Sequence, residues 1–120
     1  MRQMSFALTT EQMLARTKTV TRRTGWATLK PGTLLQAIEK GQGLRKGEKV
    51  RKLGVIRVVS VTQERLSHLI GTSYGDAEAT REGFQTMSGE QFVAMFCEHS
   101  GCTRGEIVTR IEFEHVEAQP

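Results

Sequence analysis

The sequence predicts a small α+β domain, with several strands curled into a compact β-barrel and two or three short helices packed beside them. Three observations carry that expectation. Leu53 to Thr62 is a Val- and Ile-rich run long enough to cross a sheet. Glu106 to Val116 alternates Ile107, Thr109, Ile111 and Phe113 with Val108, Arg110, Glu112 and Glu114, the pattern of a half-buried strand. Ser88-Gly89-Glu90-Gln91 reads as a helix cap, and Phe92, Val93, Met95 and Phe96 after it cover one helical side. The strands are too closely spaced and too turn-rich for strand–helix–strand crossovers, and a barrel removes exposed edges. The 120 residues are expected to form a single domain, 1–120, large enough for one core.

Taken in order, Met1 to Leu8 alternates loosely and leads to Thr9-Thr10-Glu11-Gln12, a threonine N-cap followed by Glu and Gln. A short helix with Met13, Leu14 and Ala15 on its apolar side should end near Arg16 or Thr17. Lys30-Pro31-Gly32 is a turn signal, and Thr33 to Ile38 then reads as a strand. Gly41, Gly43 and Gly47 punctuate a basic loop, Leu44-Arg45-Lys46-Gly47-Glu48-Lys49, which lacks the spacing of a phosphate-binding loop. The Leu53 run is apolar on both faces apart from Arg57, which predicts a central strand. Gln63 to Ile70 should turn into a short helix, with His68 a surface or satisfied side chain. Tyr74 to Phe84 is polar. It contains Glu82 before Gly83, either a carboxylate aimed by a sharp turn or a solvated Glu at a helix end, and local sequence favours the second. The helix from Ser88 should reach about Glu98, and the tail after Glu117 is expected to be frayed.

Composition narrows the function. No apolar stretch approaches the roughly 20 residues that cross a bilayer, and none follows a basic N-terminus as a secretory signal does, so a cytoplasmic location and no membrane partner are expected. Two cysteines, Cys97 and Cys102, fit a reducing compartment. With His99 they make only three ligands, crowded at a helix end, and the usual second pair is lacking, so neither metal nor cofactor is expected. Charge is divided unevenly. Residues 1–52 hold 12 Lys and Arg against 3 acids, whereas residues 53–120 hold 5 against 10. A basic half on a small protein is the electrostatic footprint of a polyanion partner.

The densest chemistry is in Lys18-Thr19-Val20-Thr21-Arg22-Arg23, extended by Thr24-Gly25-Trp26. Three cations and three hydroxyls with little apolar content suit a polar, anionic ligand, although an ordinary exposed strand has the same composition. Lys18 and Thr21 meet on a helical turn but face opposite ways on a flat strand, so serving one site requires the backbone to bend. Trp26 is either the core's one large aromatic or a stacking platform for a base.

Lys18-Thr-Val-Thr21-Arg22-Arg23, Pro31-Gly32, the strand from Leu53, Glu82-Gly83-Phe84, the helix Glu90 to Phe96 and Thr109-Arg110-Ile111-Glu112-Phe113 together resemble an ASCH domain over nearly the whole chain. Phage- or prophage-type members look closest, with Gly25-Trp26 and Leu44-Arg-Lys-Gly-Glu48 included in the match. The resemblance implies a PUA-like β-barrel with a cleft, between barrel and helices, for RNA or a modified nucleoside. In small bacterial amidohydrolases of this group that deacylate N4-acetylcytidine, a Lys, a Thr and a later Glu are catalytic, and Lys18, Thr21 and Glu82 match them. The implied ligand contacts are Thr19, Arg22, Arg23, Trp26, Arg45 and Lys46. A longer 40–52 loop, Arg22-Arg23 and Trp26 depart from that enzyme type. Two functions are therefore expected: a binding module for RNA or a nucleotide, and an amidohydrolase on N4-acylated cytidine. A ribonuclease is disfavoured by the lack of a His pair, and a monomer is expected.

Overall fold

A computed structural model describes residues 1–117; the tail expected to fray lies outside the described residues. One mixed sheet holds five strands, β1 (Gln3–Ser5), β2 (Val20–Arg23), β3 (Leu34–Ile38), β4 (Lys52–Arg65) and β5 (Ile107–Val116). Their order is β1-β3-β4-β5-β2, with β1 parallel to β3 and the other ladders antiparallel. Three helices complete the α+β fold, α1 (Thr10–Leu14), α2 (Ser73–Arg81) and α3 (Gly89–Ser100). The run from Leu53 is central, as its composition predicts.

The sheet curls without closing. Its edges are β1 and β2, and no ladder joins them among the described residues. Side chains span the gap instead. Phe6, just past β1, meets Phe113 of β5 edge-on with ring centres 5.9 Å apart, and the Arg23 guanidinium at the end of β2 lies 4.8 Å over the Phe6 ring.

Three local expectations change. β4 continues to Arg65 because β5 supplies partners as far as Arg65↔Ile107, so the helix expected from Gln63 shrinks to a 3₁₀ turn, Leu66–Leu69. β4 also buries one face rather than two. Ile56 and Val58 point inward, Val59 is 46% exposed, and a bulge between Val58 and Ser60 re-aims the strand. In β5, Ile107 is exposed and Val108 is buried, the reverse of their expected sides, while Ile111 and Phe113 enter the core as their spacing predicts.

Caps behave differently at the two predicted helix starts. Thr9 makes no side-chain cap bond, whereas Ser88 and Gln91 form a reciprocal capping box, with Gln91 N–H donating to Ser88 Oγ at 3.2 Å and Ser88 N–H donating to Gln91 Oε1 at 2.9 Å. The sequence marks only the end of α2, before Gly83; its buried positions, Gly75, Glu78 and Ala79, form no apolar stripe. Its contact with α3 is a backbone approach. A Cβ added at Gly75 would sit 1.7 Å from the Leu69 carbonyl oxygen, and one at Gly89 would sit 2.0 Å from the same atom. Only glycine admits that crossing.

Two apolar clusters result. Met4, Phe6, Met13, Leu35, Ile56, Val58, Ile111 and Phe113 fill the curl of the sheet. Leu66, Leu69, Ala79, Phe92, Val93 and Val108 lie under the helices, with Phe84, Met95 and Phe96 packed against them. Burying side chains such as Phe92 and Val93 is worth roughly 1.5–3 kcal/mol each, which ties α3 to the sheet.

Candidate functional site

A cavity of about 230 Å³ opens where the two clusters meet. One wall is polar, from Lys18, Thr21, Arg22, Arg23 and Glu82; the other is apolar, from Phe6, Phe84, Phe92, Met95 and Phe96, with His99 and Ser100 at the end of α3. The cavity is smaller than the roughly 300–1,000 Å³ that suits drug-sized ligands, so it fits one small ligand group.

The bend required of the Lys18 stretch is built by three ties. Arg16 ends α1 in the left-handed region at φ 61°, reversing the chain. Thr19 N–H then donates to the Arg81 carbonyl at 2.9 Å, and Thr19 C=O accepts from Phe113 N–H at 2.9 Å. The Lys18 carbonyl accepts from His115 Nε2–H at 2.7 Å, which places the proton of that imidazole on Nε2. Lys18 therefore enters the cavity before the strand begins, and Thr21 enters from within β2.

Glu82 reaches the same place from the far side of the chain. It is the last residue of the α2 turn, followed by Gly83 at φ 102°, where an added Cβ would lie 2.9 Å from the Gln12 side chain on α1. Glycine lets the chain reverse there and keeps α1 close. Glu82 is 3% exposed, so the solvated helix-end reading favoured by local sequence is replaced by a buried carboxylate. Lys18 Nζ donates to the Glu82 carbonyl at 2.7 Å and to Glu82 Oε1 at 2.8 Å. Burial pulls the Lys18 pKa below its ordinary value, opposed by Glu82 and reinforced by the charges of Arg23 and Arg22.

The two arginines divide. Arg22 has a fully buried side chain that bonds Glu64, Glu78 and Glu82. It stays charged, because those carboxylates outweigh the cost of desolvation. Arg23 donates Nε–H to Thr21 Oγ1 at 3.1 Å and has no ion pair among the described residues. Burial lowers its pKa to about 10, which leaves it cationic at neutral pH. It is the uncompensated charge of the cavity wall.

Of the other candidates, Thr19, Trp26, Arg45 and Lys46 are outside the cavity lining. Thr19 is held by its backbone. Trp26 packs against the sheet cluster at φ 70°, with the Arg2 guanidinium 4.2 Å over its ring. Arg45 and Lys46 lie in the irregular loop before β4.

Glu64, Tyr74 and Glu78 have no motif in the sequence, and Arg110 enters only within the Thr109–Phe113 stretch of the resemblance, yet all four surround Arg22. Arg110 Nε donates to Glu78 Oε1 at 2.6 Å, Arg81 Nη1 donates to Glu78 Oε2 at 2.8 Å, and Tyr74 OH donates to Glu64 Oε2. Desolvation would raise the Glu78 pKa, but hydrogen bonds from Arg110, Arg22 and Arg81 prevail and hold it at about 2. Burial, with the Glu64 bond next, pushes the Tyr74 hydroxyl up to about 12. Apart from the Thr109–Phe113 stretch, the only sequence signal for this cluster is the acid-rich second half facing a basic first half.

No family model matches the chain, and no curated protein does. Solved structures do resemble it. A protein of Enterococcus faecalis assigned to family DUF984 superposes with a TM-score of 0.61 at 15% identity, covering 89% of this chain and 66% of that one. The chain thus spans slightly less than two thirds of that relative. An ASCH domain from Lactobacillus crispatus gives a TM-score of 0.57 at 13% identity, covering 95% of this chain and 78% of that one. Strand order, helices and these superpositions agree with the resemblance read from the sequence, and the chain has the ASCH fold.

Proposed function

We propose that the cleft binds a single nucleoside or nucleotide unit, with its base against the phenylalanine wall, and hydrolyses an N4-acyl amide on a cytosine. The observation that carries this reading is the placement of Lys18. Both hydrogen bonds recorded from Nζ go to Glu82; in its neutral form Lys18 would have no further N–H, and its lone pair would be left for the cavity that Thr21 also lines. A buried lysine with a lowered pKa in a cavity that a hydroxyl also lines is the equipment of proton transfer.

In the proposed reaction Thr21 Oγ attacks the acyl carbon, or holds the water that does, as Lys18 takes the departing proton. Arg23, already on Thr21 Oγ1, faces the negative charge that develops on the acyl oxygen. The Lys18 ammonium returns its proton to the exocyclic nitrogen as the C–N bond breaks, giving cytidine; when Thr21 is the nucleophile, water then releases the acid.

Incubation with N4-acetylcytidine, followed by chromatography of cytidine, tests this. Turnover should vanish in Lys18→Ala and in Lys18→Arg, since a guanidinium cannot act as a base. A folded wild-type protein that releases no cytidine would sink the hydrolysis. The second reading, binding without turnover, is favoured by Arg23, a cavity cation free for the phosphate of an RNA or nucleotide. It tolerates Lys18→Arg.

A further inference from the structure

Arg22 stands beside Arg23 in sequence, but its surroundings give it different work. Its Nε donates to Glu64 Oε1 at 3.0 Å, Nη2 to Glu64 Oε1 at 2.7 Å and to Glu78 Oε1 at 2.6 Å, and Nη1 to Glu82 Oε2 at 3.0 Å. Moving toward a ligand would strip a buried guanidinium from three carboxylates, a change costing several kcal/mol. Glu78 is itself clamped by Arg110 and Arg81, so the frame that holds Arg22 reaches across β2, β4, α2 and β5.

The two oxygens of Glu82 are thereby divided, Oε2 to Arg22 and Oε1 to Lys18. We propose, resting on the reading of Lys18 as a proton acceptor, that Arg22 is a positioning residue that fixes Glu82 and so governs when Lys18 holds its third proton. A bare carboxylate in a buried site would draw that proton onto the lysine by Coulomb attraction. A guanidinium on the far oxygen neutralises much of the pull and keeps the near oxygen in place. The other groups that face Lys18 are Arg23 from β2, His115 from β5 on its carbonyl, and His99 across the cavity from α3. Among the described residues, Arg22 is the one cation besides Lys18 that is bonded to Glu82.

The test is a titration of the Lys18 amine by NMR on lysine-labelled protein, in the wild type, Arg22→Met, Arg22→Lys and Glu64→Gln. Arg22→Met should raise the midpoint by about one pH unit, a tenfold tighter hold on the proton. Glu64→Gln should lower it, because the Arg22 charge is then less neutralised. Arg22→Lys should recover part of the shift. In any variant that turns over substrate, the acid limb of the rate profile should move the same way. A midpoint unmoved in folded Arg22→Met overturns the proposal, and so does an upward shift in Glu64→Gln, which decides the matter where Arg22→Met does not fold. A moving midpoint without turnover removes hydrolysis and leaves the role of Arg22 standing; turnover with an unmoved midpoint does the reverse.

Discussion

Lys18, Thr21 and Arg23 meet at one cavity because each is delivered by a different local device. A left-handed residue delivers the first, a strand position the second and the strand's end the third. Replacing Arg23 with Met should leave the fold intact, since no carboxylate depends on it, and should lower turnover by roughly a hundredfold, the cost of one oxyanion donor, as read in kcat on N4-acetylcytidine. Glu78 answers a different measurement. Its folded pKa of about 2 lies below the ordinary 4.5, so the stability it contributes is complete above pH 4.5 and is lost as the pH falls toward 2. Urea unfolding across that range should show the loss, and Glu78→Gln should flatten it while costing about 3–5 kcal/mol at neutral pH through unpaired arginines. The Lys18–Arg23 run stands out in the sequence for its cations and hydroxyls, a composition it shares with an ordinary exposed strand; burial of Lys18, Thr21 and Arg22 is what sets it apart in the structure. Glu78 was not legible in the sequence, since a lone Glu in a polar helix owes its burial to Arg22 and Arg110, both distant in the chain, as well as to its helix neighbour Arg81. The fate of Glu82 likewise depended on Lys18 and Arg22, more than fifty residues earlier.

At the scale of elements, strands that repeat every second residue and the α3 cap were readable, because period and cap chemistry are local. The 3₁₀ turn at Leu66 and the length of β4 were not, because a ladder extends wherever its partner does. Only the end of helix α2, before Gly83, was readable; its buried face was not, for a physical reason: it buries glycine, alanine and a glutamate in place of an apolar stripe. The crossing of α2 over α3 is correspondingly exacting. Gly75→Ala should destabilise by about 1–3 kcal/mol in chemical denaturation despite alanine's better helix propensity, because the added methyl meets backbone that cannot rotate away. Ser88→Ala should cost about 1 kcal/mol through the lost cap, with no change in the shape of the cavity.

For the whole molecule, the uneven charge has two outcomes. Three of the ten acids in the second half, Glu64, Glu78 and Glu82, are spent on Arg22, with Glu78 also pairing Arg81 and Arg110, while Arg45 and Lys46 remain on an exposed loop. If that loop meets an RNA backbone, neutralising both residues should weaken binding to all sequences alike and flatten the slope of log K against log salt by about 1.4. A slope unchanged in a filter-binding series would remove the loop from the interface. The edges of the curled sheet lead elsewhere. Since β1 and β2 are bridged by Arg23 over Phe6 and not by a ladder, those two edges can part at the loss of one cation–π contact, without breaking a ladder hydrogen bond. Entry of a ligand between those edges would thus leave hydrogen exchange at the strand amides unchanged, because no ladder bond has to open.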